Sequence, residues 1–67
     1  MSPAEMRDHA LAIDLELARI ETTCLSVAER ETELRDLVSV YPRAAVAAIA
    51  RLRGFRNLAR IAARVAA

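Results

Sequence analysis

Between Met6 and Tyr41, apolar residues recur at alternating steps of four and three. The row is Met6, Ala10, Ile13, Leu17, Ile20, Cys24, Val27, Glu31, Leu34, Val38 and Tyr41, and Glu31 is its only charge. This heptad seam runs for about five repeats and marks a helix that packs lengthwise against other helices. No strand-like alternation competes with it. Alanine, leucine, arginine and glutamate dominate, and all favour helix.

The start of the stretch is well specified. Ser2 is placed as an N-cap, Pro3 as the first helical residue and Glu5 as the third member of a capping box. Met1 and Met6 stand at the two positions of a hydrophobic staple. A start this complete at residue 2 favours a chain that begins here naturally. A second row, Leu11, Leu15, Ala18 and Leu25, lies well over 100° around the helix from the first, at about 100° per residue. Two apolar rows call for two neighbours.

One further signal points the other way. Ser26 and Glu29 form a second capping box just after the β-branched pair Thr22 and Thr23. The heptad phase nevertheless passes through Cys24 and Val27 without a slip. The expectation is therefore one continuous helix over about 3–40, supported by the pairs Glu16–Arg19 and Glu31–Arg35. It ends at Tyr41-Pro42, because the residue before proline avoids the α region. Pro42 then starts a second helix over about 43–65. Ala44 to Ala50 is apolar all round. Beyond it, Leu52, Phe55, Leu58, Ala59, Ala62 and Val65 share one face, with Ile61 at its edge. Gly54 costs about 1 kcal/mol against alanine in a helix interior, so it marks a kink, a close crossing or a split.

The expected fold is all-α: one domain over 1–67, an antiparallel helical hairpin that self-associates into a bundle, most simply a dimeric four-helix bundle. Size supports the last step. A chain of 67 residues buries little surface and needs a staple or a partner. Cys24 is the only cysteine and His9 the only histidine, which excludes an internal disulfide and argues against a metal. The expected oligomer interface is Met6, Ala10, Ile13, Leu17, Ile20, Cys24 and Val27, with Leu11, Leu15 and Leu25 of the second row.

The formal net charge of +1 conceals an asymmetry. All nine acids lie between Glu5 and Asp36, and from Leu37 onward there are six arginines and no acid. Arg53, Arg56, Arg60 and Arg64 form a stripe opposite the apolar face. It suits an acidic partner protein, phosphates of nucleic acid, or the acids of the first helix, with Glu16, Glu21, Glu29, Glu33 and Asp36 placed to meet it in a hairpin. Ala50, Gly54 and Phe55 match part of a helix-turn-helix pattern, but its later apolar positions fall on Arg60 and Ala63.

Catalysis is not expected. There is no lysine, no glycine-rich phosphate loop, and Cys24 lies about 22 Å from His9 along one helix. Glu5 and His9 are four apart, whereas di-metal bundles use Glu-x-x-His, so no metal or cofactor is expected. Cys24 reads as a buried structural residue. Glu31 either pairs with an arginine of the second helix or faces water. No signal peptide or spanning segment is visible, and a free cysteine fits a reducing cytoplasm. An arginine-only, alanine-rich composition fits the coding bias of a GC-rich bacterial or phage genome. The expected function is that of a small non-enzymatic oligomerising or adaptor protein. The alternatives are a dimeric DNA- or RNA-binding regulator using the arginine stripe, then an amphipathic helix on a membrane surface.

Overall fold

Ser26 divides the long seam. The computed structural model describes residues 2–66, and among these the chain forms four α-helices and no strand: α1 (Pro3–Thr23), α2 (Val27–Val40), α3 (Arg43–Leu52) and α4 (Arg56–Arg64). The all-α class stands. The two long helices do not, because each is broken once, and the result is a pair of short hairpins folded onto one core.

The first break is built from local chemistry. Thr22 and Thr23 turn their hydroxyls back onto the carbonyls of Ala18 and Arg19, and Cys24 leaves the helix with an extended backbone. Ser26 then caps α2. Its Oγ accepts the Glu29 N–H at 3.1 Å and donates to the Glu29 carboxylate at 2.9 Å. The capping box thus prevails over the unbroken heptad phase. Ser2 caps α1 in the same way, accepting from the Glu5 N–H at 3.2 Å. The staple expected between Met1 and Met6 involves Met1, which lies outside the described residues.

The later boundaries follow from proline and glycine. Tyr41 is extended, and Pro42 stands just before α3 with its carbonyl accepting from Ala45 and Val46. Gly54 has φ of +77°, the left-handed conformation that favours glycine. The Phe55 N–H donates to Ala50 O at 2.8 Å and the Gly54 N–H to Arg51 O at 3.0 Å. These two bonds make a Schellman motif that ends α3. Gly54 therefore splits the second helix.

The helices run alternately out and back. Arg19 meets Glu33 at 3.0 Å and the His9 ring meets the Tyr41 ring edge-on at 5.5 Å, so α2 returns along α1. Asp14 meets Arg53, which sets α3 beside α1 in the same direction. The Arg43 guanidinium donates to the Val65 carbonyl, which brings the end of α4 back to the start of α3. One apolar cluster joins all four helices. Ile13, Leu17 and Ile20 come from α1, with Cys24 just beyond it. Leu34, Leu37 and Val38 come from α2, Val46 and Ala50 from α3, and Leu58, Ile61 and Ala62 from α4.

Candidate interaction surface

The core settles where the seam goes. Ile13, Leu17, Ile20 and Cys24, expected at an oligomer interface, are buried inside the single chain. The reason is the break at Cys24–Ser26. It folds the second half of the seam, Leu34 and Val38, back onto the first, so the partner of the seam is the chain itself. Val27 is half exposed, and Leu25 projects from the break at 84 % exposure. Met6 is 59 % exposed and Ala10 is exposed too, both beside the α1–α3 groove.

The second row has the opposite fate. Leu11 is 57 % exposed and Leu15 70 %, on the face of α1 turned away from the core. Leu52, at the end of α3, is 86 % exposed and lines one groove of about 340 Å³ with Leu11, Arg7, Asp14 and Ile49. A neighbouring groove of about 280 Å³ between Met6, Ala10, Pro42, Ala45 and Ile49 is almost wholly apolar. Leu11, Leu15 and Leu52 therefore form an apolar patch that no helix of the chain covers. Isolated exposed leucines are ordinary on soluble proteins, whereas a contiguous cluster marks an interaction site.

The arginines divide into two groups. Arg64 lies 2.9 Å from Glu31, and Arg53 Nε lies 3.2 Å from Asp14 Oδ1 with its guanidinium also over the Phe55 ring. The acids they meet are thus Asp14 and Glu31, not the five placed by a straight hairpin, because both helices are broken. Glu31 gives its bond to Arg64 and not to Arg35. Among the described residues, Arg51, Arg56 and Arg60 have no acidic partner. Arg56 and Arg60 share the outer face of α4, whose Leu58, Ala59, Ile61 and Ala62 are turned inward. The later part of the helix-turn-helix pattern accordingly fails: Arg60 and Ala63 are exposed, and Leu58, Ile61 and Ala62 occupy the core. Of the apolar face that a membrane-surface helix would insert, Leu58, Ala59, Ala62 and Val65 are buried, Phe55 is half-buried and Leu52 is exposed.

Sequence reading missed Arg30. Its Nε donates to the Cys24 carbonyl at 2.8 Å and its Nη2 to the Glu21 carbonyl at 3.2 Å. Its Nη1 donates to Asn57 Oδ1 at 2.7 Å and lies 3.6 Å from the Glu21 carboxylate. One guanidinium from α2 thus closes the carbonyl end of α1 and ties it to α4. Nothing in the spacing signals this, because residues six and nine apart meet only once the helix has broken.

Arg19 bridges Glu16, at 2.8 Å, and Glu33. The hydrogen bonds that Arg19 donates to Glu16, then to Glu33, raise its pKa above the usual arginine value. Among the described residues no three His, Cys, Asp or Glu side chains gather as a metal site would require, and no helix is long and apolar enough to cross a membrane. No protein-family model, curated protein or solved structure matches the chain.

Proposed function

We propose that this chain is a small non-enzymatic interaction module that works by docking the outer face of α1 against a helix of another polypeptide. One observation carries the reading: Leu11 and Leu15 of α1, joined by Leu52 of α3, stand exposed on the side of α1 opposite its buried row Ile13, Leu17 and Ile20. A contiguous apolar patch that the chain's own helices leave uncovered is the kind of surface a partner covers. The test is affinity purification from the native host with two baits, the unaltered chain and a Leu11→Ser/Leu15→Ser variant. Proteins held by the first bait and lost with the second support the reading. The same set on both, or none on either, sinks it.

Nucleic acid is the second reading, favoured by the three arginines without acidic partners in the acid-free α3–α4 hairpin. Phosphate contacts predict an affinity that falls with salt, by a log–log slope of about −0.9 for each phosphate neutralised on duplex DNA. A labelled duplex titrated at two salt concentrations, with Arg56→Gln/Arg60→Gln as the comparison, decides this. Absence of binding at low salt removes it.

A further inference from the structure

We propose that the polypeptide docking on α1 is a second copy of this chain, its α1 packed antiparallel to the first about a two-fold axis level with Ala12 and Ile13. The inference rests on the docking reading above and adds the partner and the register.

The geometry begins with the exposed row. Ala4, Asp8, Leu11, Leu15, Ala18 and Thr22 follow one another at steps of four, three, four, three and four along the uncovered face of α1. This is a second heptad seam, and it spans about 27 Å of helix. On one flank stand Arg7, Asp14 and Glu21. On the other stand Glu5, Ala12 and Arg19. Glu5, Arg7 and Asp8 have no charged partner within the chain among the described residues.

Charge selects the arrangement. When two such helices pack antiparallel with Leu11 against the partner's Leu15, the same flanks meet. Arg7 then faces Glu21 of the partner subunit, and Glu5 faces the partner's Arg19, each pair occurring twice by symmetry. Ala4 and Ala18 of each helix meet Thr22 and Asp8 of the other, which leaves both leucine pairs at the centre. Sliding one heptad one way places Asp14 against the partner's Glu21, two like charges. Sliding the other way sets Leu11 against the partner's Asp8. A parallel pairing in register brings Asp8 onto the partner's Asp8 within the seam. The antiparallel register also brings Asp14 to the partner's Asp14 at the axis, each lying 3.2 Å from the Arg53 of its own chain, and it is the register that pairs leucine with leucine and sets four acid–base contacts against that one like pair. Leu52 stands beside Leu11 and widens the apolar area. An isologous contact of this kind uses the patch once in each subunit and closes as a dimer.

Chemical cross-linking reads the register directly. In a Cys24→Ala background, Ala12→Cys places two thiols beside each other across the axis, and a short bismaleimide should join them into a covalent dimer. Ala4→Cys places them about 27 Å apart and should not. Cross-linking through position 4 and not through position 12 overturns the proposal. Light scattering during gel filtration supplies an arm independent of the cysteine variants. The unaltered chain should elute as a dimer, Arg7→Glu should weaken it by roughly tenfold through two reversed pairs, and Arg7→Lys should not. A folded monomer at every concentration overturns the second-copy proposal. If the host bait still holds a partner that depends on Leu11 and Leu15, the docking reading survives that result. A dimer undiminished by Leu11→Ser/Leu15→Ser also overturns the second-copy proposal, and the docking reading then stands or falls with the two host baits.

Discussion

Arg30 and Gly54 each secure one of the breaks between helices. The Arg30 guanidinium satisfies two carbonyls at the end of α1 that the helix cannot satisfy for itself. Its side chain is only 14 % exposed. Replacing it with alanine leaves those groups and Asn57 short of a partner, at a cost of about 1–3 kcal/mol. Urea unfolding followed by circular dichroism should show this, and Arg30→Lys should recover little, because an ammonium cannot reproduce the fork. Gly54 gives a sharper test, since its two readings differ in sign. In a helix interior, Gly54→Ala would stabilise by about 1 kcal/mol. At φ of +77°, with no atom within 4 Å of a new Cβ, the penalty is purely conformational and the same change should destabilise by about 1–2 kcal/mol. A gain in midpoint denaturant concentration would rule out the Schellman ending of α3.

At the scale of the element, the break between α1 and α2 shows two local signals in competition. The heptad phase favoured continuity, and Ser26 with Glu29 favoured a new start. The break leaves the phase intact, so Leu34 and Val38 still face the residues they would have accompanied on a straight helix. Periodicity reports which residues are buried together, not whether the helix between them is continuous. Ser26→Ala should therefore destabilise by about 1 kcal/mol through loss of the cap, without raising helix content at 222 nm. Increased helicity would mean that the cap alone holds the break open. The outer row of α1 was legible from its spacing. That Leu25 would leave the row was not, because it depends on where the helix ends.

The whole molecule is small enough that a single core truncation is consequential. At typical values per residue, 67 residues support about 3–10 kcal/mol of stability. Leu58 is fully buried at the meeting of α4 with its neighbours, and Leu58→Ala should cost about 2–5 kcal/mol. The denaturant midpoint of the variant should fall in proportion, which an unchanged midpoint would disprove. Assembly adds a term that depends on concentration. If a partner chain covers Leu11 and Leu15, the thermal midpoint of the unaltered protein rises with protein concentration and that of Leu11→Ser/Leu15→Ser does not. Identical midpoints at all concentrations for both would place the folding stability within one chain.

The sequence by itself determined the helical class, the cap at Ser2, the boundary at Pro42 and the membership of the apolar rows, and it carried a signal for the cap at Ser26 that the heptad phase outweighed. Each of these depends on neighbours within a few residues or on a period that a helix imposes. Only the tertiary structure decided which row turned inward. A seam with period three and a half fits a partner in the same chain as well as one in another, and the choice was made by the folding back of α2 through α4 onto Ile13, Leu17 and Ile20. It also decided which arginines would spend their charge inside the molecule. Pairing of Arg53 with Asp14 and of Arg64 with Glu31 joins residues 39 and 33 positions apart. Such contacts exist only once four short helices share a core.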